Sequence, residues 1–296
     1  MTDILLWANQ HRRIIEKEMI LGFEASGKIL EIGRLAQEKG HFYWGEEVLI
    51  HNYPIVGGLA ETCIAHYNNV FRLDKIKNLS MKDAAILTDD YFSPLLIFGR
   101  RSKLIENEYI LINTNLAYSG LAASNIAACI FRAKPIIASN CITSFNCNSG
   151  AIAIIDRNKL SDELERITGK REVRLIIDTI GGKQFGNLLK CLQHEGIVAV
   201  VDCARDSKYP YQYIFPSNYT ILTLSIEHYK NNDPFIYRET MQNLLDYRIE
   251  GTICPHISAI FGLNNINKAF EYAAKLTRGK ILIDLKNHDE YYLCES

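Results

Sequence analysis

The sequence lacks the features that mark zinc ribbons, membrane spans and strongly charged proteins. Its eight cysteines include no Cys-x-x-Cys pair, which argues against a structural zinc site. No stretch is long and apolar enough to span a bilayer, and the N-terminus shows no signal-peptide pattern. A net charge of −1 gives no electrostatic case for binding nucleic acid. We expect reduced thiols, no bound metal, no nucleic-acid or membrane partner, and a cytoplasmic location, with a mitochondrial one as the alternative although no transit peptide is visible.

The stretch from Tyr109 to Ser139 predicts the opening unit of a dinucleotide-binding domain. Tyr109–Asn113 is a short apolar run suited to a buried parallel strand, Leu121–Phe131 has a helical composition, and Pro135–Ala138 is a second apolar strand. Such a turn usually carries three glycines, which allow the bend, the approach of the pyrophosphate and the packing of the helix. Here those positions hold Thr114, Ala117 and Gly120, so only the last glycine is kept.

Strand-like and helix-like segments alternate after Tyr109, which predicts a parallel sheet with helices on both faces. Residues 1–85 are predicted to be β structure with loops, including Gly57–His66 as a strand. Ser80 with Asp83 predicts a helix start, and Asn264 is predicted to cap a late helix. Gly279–Leu285 is predicted as a closing strand.

These segments, taken in order, resemble the zinc-free quinone oxidoreductase branch of the medium-chain dehydrogenase/reductase superfamily. The resemblance rests on nine words in family order, which are LGFEASGKILEIG, GEEV, GGLAETCIA, LSMKDAAIL, the strand–turn–helix at 109–131, VRLIIDTIGGKQF, EGIVAVV, EGTICPHISAIFGLNNINKAFEYA and GKILIDL. The words cover nearly the whole chain, and as a set they are specific although each one alone is weak.

The resemblance implies an α/β protein in which a GroES-like β-rich domain holds an inserted Rossmann domain with a doubly wound parallel sheet. The implied division is 1–89 plus 252–296 for the GroES-like domain and 90–251 for the Rossmann domain. Relatives use NADPH to reduce quinones or activated carbon–carbon double bonds, without a metal and usually as dimers. We therefore expect NADPH as cofactor, a small quinone or enone as substrate, and a homodimer.

The chain departs from the family pattern at several positions. It begins where relatives are already inside their first domain, so we expect a truncated N-terminus. Tyr118 stands where relatives have Gly or Ala, Ser144 where they often have a Lys for the 2′-phosphate, and Asp202 where they usually have Gly. An acid at Asp202 is expected to repel a phosphate. These changes predict weak or lost cofactor binding.

Several residues are candidates for holding the cofactor, and each also has a structural interpretation. Ser119 and Gly120 open a helix, where free amides attract anions, but they also suit an ordinary helix start. Tyr118 either stacks on the cofactor or fills the groove, and filling is favoured because a side chain there obstructs the backbone approach. The remaining candidates follow strands or the eroded turn and are equally common loop residues; they are Ala117, Ser139, Asn140, Asp178, Gly181 and Gly182.

Two further segments carry polar residues of interest. Tyr91 and Ser93 resemble the family's Tyr-x-Thr-Ala, whose hydroxyl approaches the nicotinamide, although a helix cap before Pro94 is the favoured interpretation of Ser93. Asp89 and Asp90 are predicted to be a solvated helix end. No side chain presents itself as a firm catalytic residue.

Three functions follow from these observations. The first is an NAD(P)H-dependent oxidoreductase of the quinone or enoyl reductase type, in which hydride passes to an electron-poor carbon. The second is a pseudo-enzyme scaffold that takes part in interactions and binds no nucleotide. The third is RNA binding, which some relatives perform through the cofactor cleft and which the near-neutral charge does not favour.

Overall fold

A computed structural model describes residues 20–52, 57–73, 79–114, 118–139, 150–201, 218–274, 279–289 and 291–294. Within these ranges the strands, in chain order, are β1 Glu24–Lys28, β2 Glu47–His51, β3 Val70–Arg72, β4 Tyr109–Asn113, β5 Lys134–Ser139, β6 Ala153–Asp156, β7 Val173–Asp178, β8 Leu192–Val200, β9 Thr220–Thr223, β10 Ile257–Gly262, β11 Lys280–Asp284 and β12 Tyr291–Leu293. The α-helices are α1 Arg34–Gly40, α2 Met81–Ala85, α3 Thr88–Leu96, α4 Tyr118–Cys129, α5 Leu160–Thr168, α6 Phe185–Leu189, α7 Ile226–Asn232, α8 Pro234–Ile249 and α9 Ile266–Ala274.

The described residues pack as two compact units. The first holds the residues up to Asp89, those from Ile226 to Ala274, and those from Lys280 onward. The second holds Asp90 to Ser225 together with Gly279. The chain thus returns to the first unit at Ile226, and the assignment of a domain boundary at 251/252 stays a prediction.

The second unit is built on a six-stranded parallel sheet in the order β6-β5-β4-β7-β8-β9. Its central strands have apolar middles because both faces are covered, and Ile110, Leu111 and Ile112 of β4 are fully buried. One core cluster joins Leu111 and Ile176 of the sheet to Leu164 of α5 and Phe185 of α6. The predicted parallel sheet with flanking helices is confirmed.

The first unit contains two small sheets. One is antiparallel in the order β1-β2-β3, and the other runs β11-β10-β12, with β11 parallel and β12 antiparallel to β10. Lys280 at the start of β11 forms an ion pair of 2.6 Å with Glu24 at the start of β1. The closing strand therefore lies with the N-terminal strands, as the sequence predicted.

Several local predictions were wrong. Gly57–His66 forms no strand, and helix α1 occupies part of a region that was predicted to be β structure and loops. Asn264 lies inside a short 3₁₀ turn that Gly262 precedes, so it does not cap α9. Ser93 lies inside α3, which begins at Thr88 and contains Pro94, so it is not a helix cap either. Asp90 is only 8% exposed, so the pair Asp89 and Asp90 is not a solvated helix end.

Candidate functional site

The candidate site lies at the carboxyl edge of the parallel sheet, where the strand order reverses. The chain leaves β4 for β5 on one side and later returns to β7 on the other, so the reversal falls between β4 and β7. In open α/β sheets, ligands bind in the crevice outside the carboxyl ends of the strands at such a point. The last residues of these two strands, Asn113 and Asp178, are register partners.

Asn113 and Asp178 form a buried polar pair at this reversal. The Asn113 side-chain amide donates from Nδ2 to Asp178 Oδ1 at 2.8 Å. The same carboxylate accepts backbone N–H groups from Ile180 and Gly181, each at 3.1 Å. Burial raises the pKa of Asp178, while the hydrogen bonds from Gly181, Ile180 and Asn113 act against that rise. The carboxylate therefore fixes the turn that follows β7 and closes it against β4.

Arg157 adds a buried positive charge close to this pair. It follows β6, is 7% exposed, and donates from Nη2 to the Thr114 carbonyl at 2.6 Å. Its charge also acts to lower the pKa of Asp178. Arg157 thereby connects the end of β6 to the eroded turn after β4.

The start of α4 is tightly packed against Thr114. A Cβ atom placed on Gly120 would lie 2.4 Å from Thr114 Oγ1 and 2.5 Å from Thr114 Cβ. Gly120 is therefore needed for the contact between strand end and helix. Thr114 does not adopt a left-handed φ, so a side chain at this former glycine position introduces no backbone strain.

Tyr118 lies in the first turn of α4 and is only 8% exposed. Its ring meets the ring of Tyr91 edge-on, with centroids 6.0 Å apart. Tyr91 is itself 2% exposed, and its hydroxyl donates to Asn125 of α4 at 3.4 Å. Tyr118 is thus part of an aromatic contact inside the second unit.

The other candidate residues occupy distinct places along the same unit. Ser139 ends β5, is fully buried and is the register partner of Asp156. Gly181 and Gly182 adopt φ of 68° and 79°, which L side chains rarely adopt, so their backbone conformation requires glycine. Ser93 is 7% exposed within α3. Ala117, Asn140, Ser144 and Asp202 lie outside the described residues.

Two polar atoms at the strand end remain without a hydrogen-bond partner within the described structure. They are Asn113 Oδ1 and Thr114 Oγ1, and both residues are at most 1% exposed. Buried polar atoms without partners are uncommon and often mark a place where a ligand or water completes the network. Sequence reasoning missed Asn113 and Arg157 as site residues. A polar residue at the end of an apolar strand was the available signal for Asn113, whereas nothing local distinguished Arg157.

The described residues contain no group of three or more His, Cys, Asp or Glu side chains arranged to hold a metal ion. Within the same ranges, no helix is both long enough and apolar enough to cross a membrane.

Comparisons with known proteins agree with this architecture. A family model described as zinc-binding dehydrogenase matches residues 149–283. Quinone oxidoreductase-like protein 2 from Mus musculus is 27% identical over 291 residues, which is 96% of this chain and 81% of that protein.

Two solved structures show the same fold. A probable oxidoreductase from Mycobacterium abscessus superposes with a TM-score of 0.81 at 21% identity, covering 96% of this chain and 85% of that one. Quinone oxidoreductase from Escherichia coli, complexed with NADPH, gives a TM-score of 0.77 at 19% identity, covering 89% and 81%. The fold predicted from the sequence, a GroES-like β-rich domain with an inserted Rossmann domain, is confirmed.

Proposed function

We propose that this chain, which belongs to the quinone oxidoreductase branch of the medium-chain dehydrogenase/reductase superfamily, is an NAD(P)H-dependent reductase of quinones or enones. Similarity to quinone oxidoreductase-like protein 2 over 96% of the chain supports an oxidoreductase activity. NADPH as the preferred nucleotide, the substrate class and a homodimer are part of the proposal.

The observation that carries the proposal is the reversal of strand order between β4 and β7 together with the unpartnered polar atoms at this strand end. Open α/β sheets bind dinucleotides outside the carboxyl ends of the strands at such a reversal. Asn113 Oδ1 offers an acceptor, and the Thr114 hydroxyl offers both a donor and an acceptor. Such a donor and acceptor set suits the hydroxyl groups and phosphate oxygens of a nucleotide.

Different residues of the second unit would contact different parts of the nucleotide. Ser119 and Gly120, at the start of α4, would face the pyrophosphate, because backbone amides at a helix start favour negative charge. The Ser139 hydroxyl would hydrogen-bond the adenosine ribose. Gly181 and Gly182 would let the backbone lie close to the nicotinamide. When bound, the nicotinamide supplies a hydride from its C4 atom. No side chain is assigned as the acid, since water suffices to protonate the reduced product.

A pseudo-enzyme scaffold is the second candidate function, and one observation favours it. Tyr118 and Thr114 place side chains where the family has small residues, and both are buried against their own unit. If these side chains close the groove, the fold persists without nucleotide binding.

Titration of the purified protein with NADPH and NADH by calorimetry tests the proposal. We expect saturable binding, weaker than is usual for the family. A missing charge-assisted phosphate contact at Ser144 accounts for on the order of 1.5–3 kcal/mol, roughly tenfold or more in affinity. Ser144→Lys should then favour NADPH over NADH. Absence of binding by the wild-type protein and by the Tyr118→Gly/Ser144→Lys variant would contradict the proposal and favour the scaffold.

A second experiment compares the NADPH affinity of the wild-type protein with that of Tyr118→Gly, and its outcome depends on where the Tyr118 ring lies. If the ring fills the groove, Tyr118→Gly tightens NADPH binding, and if the ring stacks on the nucleotide, the same change weakens binding. Tyr118→Phe is the matched control, because it keeps the ring and removes only the hydroxyl. NADPH affinity that is tight in the wild-type protein and unchanged by Tyr118→Gly and Ser144→Lys would show that the groove does not work in this way.

A further inference from the structure

The first unit contains a buried polar cluster that the proposed reaction does not use. His51 ends β2, Asp89 lies in the first turn of α3, and Tyr237 lies in the first turn of α8. His51 Nδ1 lies 2.9 Å from the Tyr237 hydroxyl, and His51 Nε2 forms a short hydrogen bond with Asp89 Oδ1. These three residues are called the His51 cluster.

The chemistry of the three side chains fixes the direction of both hydrogen bonds. An ionised carboxylate only accepts hydrogen bonds, so His51 Nε2 carries the hydrogen that Asp89 receives. In a neutral imidazole the other nitrogen is then an acceptor, so the Tyr237 O–H donates to Nδ1. The cluster is thus a chain from the Tyr237 hydroxyl through the imidazole to the carboxylate.

Charged groups from three other elements surround the His51 cluster. Lys230 of α7 donates from Nζ to the His51 carbonyl at 2.5 Å and lies 5.1 Å from the centre of the Tyr237 ring. Glu24 of β1 accepts the Asp89 backbone N–H at 2.8 Å and pairs with Lys280 of β11. Both lysines act to lower the pKa of His51.

Burial indicates a role in the fold for this cluster. His51 is 0% exposed and Tyr237 is 2% exposed, so neither ring presents a surface to a substrate. The Asp89 side chain retains 24% exposure, so it is the member of the cluster that reaches solvent. The cluster joins β2 to the first turns of α3 and α8, and these elements are far apart in the sequence.

We propose that the His51 cluster is an acid-sensitive latch that fastens α8 and the first turn of α3 to β2. Protonation of His51 places a hydrogen on Nδ1, where the Tyr237 hydroxyl already points its own hydrogen. The hydrogen of the Tyr237 hydroxyl must then rotate away so that its oxygen accepts from Nδ1–H, and the new cation lies in a buried site near Lys230 and Lys280. The latch does not depend on the proposed reductase function.

The pKa of His51 supports the direction of the switch. Burial lowers this pKa below its ordinary value, and the attraction of Asp89 offsets only part of that effect. The unfolded or locally opened form therefore binds a proton at higher pH than the closed form does. Stability contributed by neutral His51 is complete above pH about 6.5 and falls as the pH drops from there toward the pKa of the closed form.

NMR of the wild-type protein with ¹⁵N-labelled histidine tests the hydrogen-bond directions. We expect His51 to be the neutral Nε2–H tautomer at pH 7.5 and to titrate below the ordinary value. In Tyr237→Phe the donor to the neutral Nδ1 is missing, so the pKa of His51 should rise. A wild-type Nδ1–H tautomer, or a pKa that does not rise in Tyr237→Phe, overturns the assignment.

Hydrogen exchange of the backbone amides in α8 tests the latch itself. After correction for intrinsic exchange rates, the opening equilibrium of wild-type α8 should increase by up to about tenfold for each pH unit below 6.5. His51→Gln should remove this pH dependence, whereas the exposed-histidine control His194→Gln should keep it. If His51→Gln does not fold, Tyr237→Phe should weaken the pH dependence of α8 opening, because the raised pKa of His51 in the closed form narrows the pH range over which opening increases. Opening of wild-type α8 that does not change with pH overturns the proposal.

Discussion

At the scale of the residue, the contact between Thr114 and Gly120 explains how the second unit tolerates an eroded glycine turn. The first glycine position has gained a side chain, and that side chain packs on the one glycine that remains. The backbone at Thr114 stays outside the left-handed region, so the replacement is acceptable there. The strand and the helix therefore keep the close packing that the third glycine allows.

This contact predicts a strong coupling between two substitutions. Gly120→Ala should lower the free energy of unfolding by about 1–3 kcal/mol, because the new methyl group meets three atoms of the buried Thr114 side chain within 2.6 Å. In a Thr114→Gly background the same substitution should cost clearly less, since those atoms are gone and alanine favours a helix. Urea unfolding of the four proteins measures the coupling, and equal costs in both backgrounds would contradict the packing described.

At the scale of the element, the N-terminus of α2 is one that a local sequence pattern predicts directly. Ser80 Oγ accepts the Asp83 backbone N–H at 3.0 Å, as the Ser80-x-x-Asp83 pattern predicted. Asp83 then pairs with Arg248 of α8 at 3.1 Å. A local cap is thereby linked to a distant helix of the same unit.

Removal of this cap should have a modest and specific cost. Ser80→Ala should destabilise the protein by about 1 kcal/mol, because one amide of the first turn loses its acceptor. Ser80→Thr, which keeps the hydroxyl oxygen, should lose only a small part of this stability. Thermal unfolding of both variants provides the measurement, and equal losses would show that the hydroxyl does not act as a cap.

The elements of the second unit could be predicted because their signals are local and periodic. Apolar runs such as Tyr109–Asn113 and the alternation of strands with helices were sufficient for the parallel sheet. The errors at Ser93 and Asn264 arose because a residue type that favours caps also occurs inside a turn or helix. The partners of His51 are 38 and 186 residues away, so no sequence window contains them. The same separation hid the contact between Arg157 and Thr114, which are 43 residues apart.

At the scale of the whole molecule, we predict that the protein binds no metal, although the matching family model is described as zinc-binding. That model is described as zinc-binding dehydrogenase and covers residues 149–283. Because the cysteines lack zinc-site spacing, we expect substoichiometric zinc in extensively dialysed protein and no change in thermal stability after chelation. Elemental analysis by mass spectrometry provides the count, and one zinc per chain bound at defined side chains would overturn the prediction.

Strands β11 and β1 are connected in the first unit by the ion pair of Lys280 and Glu24. The two side chains retain 19% and 14% exposure, so breaking the pair leaves a largely buried charge. Lys280→Met should therefore destabilise the protein, because the Glu24 carboxylate loses the attraction of the Lys280 ammonium while still accepting the Asp89 N–H. Adding Glu24→Gln should restore part of the loss, since the glutamine carbonyl still accepts that N–H without a charge.

The expected coupling energy between these two positions is about 0.5–3 kcal/mol, measured by urea unfolding of the wild-type protein, both single variants and the double variant. The matched control is Arg34→Met, which removes an exposed partner of Glu38 at 3.9 Å and should change stability by only a few tenths of a kcal/mol. Losses that simply add in the double variant would show that the closing strand is held to the N-terminal strands by packing and backbone contacts alone.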